Sequence, residues 1–151
     1  MGKKYLMSSA QKRLFTIDQV QLPNITYNVP TVMRTDDKIN INKLNNALKI
    51  MCKRHEILRT RFDIINNKFI QIVEDTNDLE LEYEQGNESD LELKIKKFIV
   101  PFNLKKGGLI RAKVFECNEG RSYFILDIHH IIIDGASVEI FLNEWPNLAI
   151  S

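Results

Sequence analysis

The residues best equipped for chemistry in this sequence share one stretch, Ser122–Ser137, which reads SYFILDIHHIIIDGAS. Tyr123–Ile128 is a run of apolar residues broken only by Asp127. It is rich in β-branched and aromatic types and reads as a strand covered on both faces. The run ends on His129 and His130. Successive side chains of a strand point to opposite faces, so His129 shares a face with Tyr123, Ile125 and Asp127, and His130 shares the other with Phe124, Leu126 and Ile128. Only one of the two can face a given site. After three isoleucines come Asp134 and Gly135, where the chain must turn before a helix opening at Ala136, and glycine permits that turn. A histidine at a strand end, with a carboxylate returned beside it, has the parts of a proton-transfer site. Spacing alone leaves a second reading open, a core histidine beside an ordinary Asp-Gly turn.

The elements that would position this stretch can be read in order. Ser8 or Ser9 can cap a helix carrying Leu14, Phe15 and Ile17, with Pro23 and Asn24 closing the segment after it. Asn28–Thr35 reads as a strand. From Asn40, the residues Ile41, Leu44, Leu48 and Met51 recur at helical spacing, giving one apolar stripe that ends near Arg54-His55. Ile57–Ile65 and Lys68–Glu74 flank Asn66-Asn67, two residues that tolerate positive φ, which predicts a hairpin with a two-residue loop. Leu79–Tyr83 alternates like a short strand before the polar break Gln85-Gly86-Asn87. Leu91, Ile95, Phe98 and Ile99 mark a second amphipathic helix, stopped by Pro101. Leu109–Glu116 and Arg121–His130 form a further hairpin around Asn118-Glu119-Gly120, and Ala136–Trp145 is a last helix cut by Pro146. The expected fold is α/β (α+β): a mixed sheet with helices packed on it, in one domain.

Composition narrows the function classes. The chain has 151 residues, enough for a single core, and a formal net charge of +1 with lysine pairs scattered along it, which argues against a nucleic-acid partner. No stretch approaches the roughly twenty apolar residues that span a bilayer, and the start lacks a signal-peptide core, so a cytoplasmic protein without membrane association is expected. Cys52 and Cys117 lie in a helical and a strand pattern without CxxC spacing, which predicts two free buried thiols. Two adjacent strand histidines point apart and cannot supply the three ligands of a metal site, so no metal is expected. Neither a glycine-rich phosphate loop nor a nucleophile elbow is present.

Three stretches stand out together: Ser8-Ser9-Ala10-Gln11-Lys12-Arg13-Leu14, Arg54-His55-Glu56-Ile57-Leu58-Arg59-Thr60-Arg61-Phe62, and His129-His130-Ile131-Ile132-Ile133-Asp134-Gly135. In this order the set resembles the condensation domains of nonribosomal peptide synthetases, whose patterns read SxAQxRL, RHExLRTxF and HHxxxDG. A weaker match, Pro101-Phe102-Asn103-Leu104 followed by Leu109-Ile110-Arg111-Ala112, resembles the family's PFDL…LxRA stretch, with Gly107-Gly108 where the family usually has other residues.

The resemblance covers nearly the whole chain and about the first third of a full condensation domain. It implies a fold similar to chloramphenicol acetyltransferase, with this chain as the N-terminal subdomain, residues 1–151, and the C-terminal subdomain absent. The family's reaction is acyl transfer. The amine of an acceptor amino acid, held as a thioester on a phosphopantetheine arm, attacks the donor thioester on another carrier protein to give an amide. No cofactor would be bound directly. The partners implied are peptidyl and aminoacyl carrier proteins and the C-terminal condensation subdomain.

Carried onto this sequence, the second histidine of the motif makes His130 the catalytic residue, either accepting a proton from the amine or orienting it and stabilising the developing charge. Asp134 resembles the carboxylate that pairs with an arginine of the second motif, here Arg54, with Arg59 as the alternate. A buried pair of this kind would be costly to break. Gly135 would let the backbone close near substrate, His129 would be structural, Ser137 would cap the last helix or line the channel, and His55 with Glu56 would support the arginine. Read from His129, the HxxxxD spacing also resembles lipid acyltransferases; the other motifs and the lack of a membrane segment count against that reading. Two further hypotheses stand beside the catalytic half: a non-catalytic interaction or remnant module, and a stand-alone acyltransferase that completes its site by self-association.

Overall fold

The computed structural model describes residues 2–76, 79–133 and 145. After a short strand β1 (Lys3–Leu6), the first helix α1 (Ser9–Val20) starts on a capping box: the Ser8 hydroxyl accepts from the Gln11 amide at 3.1 Å, and the Gln11 side chain accepts from the Ser8 amide at 2.9 Å. Strand β2 (Asn28–Thr35) spans the expected residues. Helix α2 (Ile41–Arg54) is capped by Asn40, whose Oδ1 accepts from the Lys43 amide at 3.1 Å, and it buries Leu44, Ala47, Leu48, Met51 and Cys52 along one stripe.

Strands β3 (Thr60–Ile65) and β4 (Lys68–Val73) are joined by Asn66 (φ 52°) and Asn67 (φ 63°), both left-handed as a type I′ turn requires. Then come β5 (Glu82–Gly86), α3 (Leu91–Phe98), β6 (Ile110–Cys117) and β7 (Ser122–His129).

The described strands form two sheets. β1, β4 and β3 make an antiparallel sheet in that order, and β2, β7, β6 and β5 make a mixed sheet in which only the β5–β6 pair is parallel. β7 is therefore an inner strand, antiparallel to β2 on one side and to β6 on the other. Its side chains alternate between two cores. Phe124, Leu126 and Ile128 join the main core with Phe15, Leu44, Leu48, Phe62 and Trp145, while Ile125 packs with Phe98, Phe115 and Cys117 under α3. Trp145 is fully buried, edge-on to Phe124 at 5.6 Å, and its indole N–H reaches the Leu44 carbonyl at 3.3 Å. Both cysteines are free and buried.

Three expectations need correction, and one strand was not expected at all. β1 carried no sequence signal, because its four residues are all exposed and its place depends on pairing with β4. The strand expected from Ile57 begins only at Thr60: Glu56–Arg59 is a 3-10 turn, closed by the Leu58 amide on the His55 carbonyl at 3.0 Å. The strand expected over Leu79–Tyr83 is displaced to β5, since Leu79 and Leu81 pack on the main core and the Leu81 amide is taken by Asn45 Oδ1 at 3.1 Å. Gly86, read as part of a polar break, ends that strand; a Cβ there would lie 2.9 Å from the Phe115 ring, so the glycine admits the aromatic.

Candidate functional site

The two histidines at the end of β7 have opposite surroundings. His129 is 3% exposed, with its ring 6.1 Å edge-on from Phe102 and 6.4 Å from Tyr27. Burial, and behind it the neighbouring His130, push its imidazole down to about 4, so it is neutral at physiological pH. Its Nδ1 accepts from the Ile131 amide at 2.9 Å, which leaves the ring proton on Nε2. His129 thus caps the 3-10 turn that His130 begins (His130–Ile132).

His130 is exposed, and its side chain has no hydrogen-bond partner among the described residues. Its backbone is fixed even so. The His130 amide donates to the Tyr27 carbonyl at 2.8 Å, and the Tyr27 ring stands edge-on to the imidazole at 6.4 Å. One histidine therefore shapes the turn, while the next offers a free imidazole to whatever lies outside the chain. A neutral imidazole at such a place can take a proton from an attacking nucleophile or hold one by hydrogen bonding.

Behind β7 lies a polar row that the motif reading did not predict. Asp127 is fully buried; its Oδ2 accepts from Asn28 Nδ2 at 2.8 Å. Arg111, the register partner of Asp127 on β6, stacks 3.8 Å over the Phe102 ring and donates to the carbonyls of Val100 (2.8 Å) and Pro101 (3.0 Å). Burial pushes the Asp127 carboxyl up, against the pull of Asn28 and Arg111. The signal for this row was the one charged residue inside an otherwise apolar strand. Tyr27 had no comparable signal.

The arginines of the second motif separate by environment. Arg59 donates to the carbonyls of Cys52 (3.2 Å), Lys53 (3.3 Å) and Glu74 (2.7 Å), tying the end of α2 to the end of β4. Arg54 is exposed in the last turn of α2, so an ion pair made there is screened by water and worth about 0–1 kcal/mol, not the large penalty of a buried pair. Asp134, Gly135 and Ser137 lie outside the described residues, and with them the Arg54–Asp134 pairing and the helix from Ala136. Glu56 meets Lys3 at 3.4 Å, and the buried Nε2 of His55 has no hydrogen-bond partner among the described residues. A cleft of about 740 Å³ between β3 and β6 is lined by Arg59, Arg61, Glu74, Glu82 and Arg111; His130 does not line it.

Fold and site together define an α/β protein with one exposed histidine at the end of an inner strand. The family model for the condensation domain matches residues 1–148. Over 144 residues the chain is 38% identical to surfactin synthase subunit 2 of Bacillus subtilis (strain 168), covering 95% of this chain and 4% of that protein. Over 140 residues it is 41% identical to bacitracin synthase 1 of Bacillus licheniformis, covering 93% of this chain and 3% of that protein. The crystal structure of the starter condensation domain of rhizomide synthetase superposes with a TM-score of 0.86 at 16% identity, over 97% of this chain and 37% of that one.

The chain belongs to the condensation domain family, and it fits the N-terminal, histidine-bearing half of such a domain. It spans only a few per cent of the length of its curated relatives. Among the described residues no helix is long and apolar enough to cross a membrane.

Proposed function

We propose that this chain supplies the histidine-bearing wall of a peptide-forming condensation site in the cytoplasm. The amine of an acceptor aminoacyl thioester attacks the carbonyl of a donor acyl thioester. A C–N bond forms, the C–S bond breaks, and the donor arm leaves as a thiol. His130 takes the proton released by the amine, or holds the amine in line and offsets the charge that develops, and the proton ends on the departing sulfur. Asp134 and Gly135 shape the turn beside it, as the motif implies, with Arg54 as the carboxylate's partner.

Donor and acceptor arrive on the phosphopantetheine arms of separate carrier proteins, and the C-terminal half of a condensation domain provides the opposite wall. The observation that carries this reading is the free, exposed imidazole of His130, backbone-anchored at the second histidine of the family motif. The relatives named as surfactin and bacitracin synthases support the substrate class.

The test is reconstitution. The chain is sedimented alone and with a separately expressed C-terminal half of a related condensation domain, and two loaded carrier proteins are then added. A complex that forms amide, and loses on the order of a hundredfold in rate on His130→Ala, is expected. Amide formation that survives His130→Ala overturns the assignment. A self-associating chain that ignores the added half and transfers a small acyl thioester identifies a stand-alone acyltransferase instead.

A further inference from the structure

Asp127 is a fully buried carboxylate that neither the fold nor the motif accounts for. Its Oδ1 is buried with no hydrogen-bond partner among the described residues, and Arg111, its register partner on β6, donates instead to the carbonyls of Val100 and Pro101. An apolar residue of similar volume would suit an inner strand better, because a buried charge without full pairing opposes folding.

What Asp127 does hold is Asn28. The Asn28 amide bridges Asp127 Oδ2 at 2.8 Å and the Val100 carbonyl at 3.0 Å. Asn28 is the register partner of His129, and the residue before it, Tyr27, offers the carbonyl that receives the His130 amide at 2.8 Å. The connection from Asp127 to His130 therefore runs through two hydrogen bonds and the Tyr27–Asn28 peptide unit that leads into β2.

We propose that Asp127 is a positioning residue for His130: by clamping Asn28 it fixes the Tyr27 carbonyl, and so the place at which the His130 imidazole is presented. The proposal rests on His130 being the working residue, but its test has a readout that does not. Hydrogen exchange at the His130 amide is followed by NMR in the intact chain for Asp127→Leu, which keeps the branched shape and removes the acceptor, and for Asp127→Asn, which keeps an acceptor oxygen for Asn28.

In Asp127→Leu the His130 amide should lose protection by about tenfold while Val114 and Leu126 keep theirs, and Asp127→Asn should recover most of that loss. In the reconstituted reaction the same Leu variant should lower kcat with KM for the carrier proteins unchanged. Unchanged protection of His130, or loss spread evenly over the core amides, overturns the proposal. If Asp127→Leu does not fold, Asn28→Ala, at a half-buried position, decides in its place by the same criteria. Loss of protection in a system where His130→Ala leaves the rate intact would retain the clamp and reject the function.

Discussion

Acid should destabilise this chain through His129 in a window set by its environment. The folded imidazole, pushed down to about 4, stays neutral where an unfolded histidine near 6.5 takes up a proton. Between these limits the unfolded state binds more protons, so stability is full above about 6.5 and falls by ~1.4 kcal/mol per pH unit as the pH drops. Over the whole window the loss is about 3 kcal/mol; below about 4 both states are protonated and this contribution stops changing.

The control is His129→Asn, which can still offer an oxygen to the Ile131 amide in place of Nδ1 and does not titrate. Other groups move in acid too. Glu84 is held down to about 2 by Lys113 and Lys94, so the stability it lends is lost as the pH falls below its unfolded value. Asp127, raised by burial, works in the opposite sense. Both are common to the two proteins and cancel in the difference. Urea unfolding followed by the fluorescence of Trp145, the single tryptophan, at steps between pH 7 and 4 gives the two stability curves. The wild-type curve should fall toward the variant's by about 3 kcal/mol as the pH drops. Curves that stay parallel refute the claim that the fold keeps His129 neutral.

Ser8→Ala removes one arm of the capping box and should lower stability by about 1 kcal/mol, seen as a fall in Tm of roughly 2–4 °C. Asn67→Val puts a β-branched residue at φ 63° and should cost about 1–2 kcal/mol, with a lower urea midpoint at unchanged slope. Arg59→Met leaves three carbonyls without their shared donor and should cost about 2 kcal/mol in the same assay; Arg59→Lys should recover less than half, because one ammonium cannot span the three.

Where local chemistry alone determined an element, the sequence was a sufficient guide. Asn66-Asn67 marked a turn that needs two left-handed residues, Ser8 or Ser9 marked a helix start, and the spacing of Leu44, Leu48 and Met51 marked the buried stripe of α2. Where a partner distant in sequence decides, the pattern was silent or misleading. β1 exists because β4 has a free edge, and β5 is displaced because Leu79 and Leu81 are drawn onto the core.

The candidate site divides the same way. Strand alternation predicts that His129 and His130 face apart, but no spacing rule says that Asn28 reaches Asp127 or that Tyr27 receives the His130 amide. Those contacts depend on the register of β2 against β7.

That register also carries a kinetic consequence. The hairpins β3–β4 and β6–β7 close over a few residues and can form early, on a timescale of about microseconds. The Asn28–Asp127 contact joins residues 99 apart, and closing a loop of that length costs about 3 kcal/mol more in chain entropy than closing one of four residues. β2 must therefore add to a β6–β7 hairpin that is already made, and on a ribosome it waits until β7 has emerged. Among the described strands of that sheet, the one that anchors His130 is the last to join.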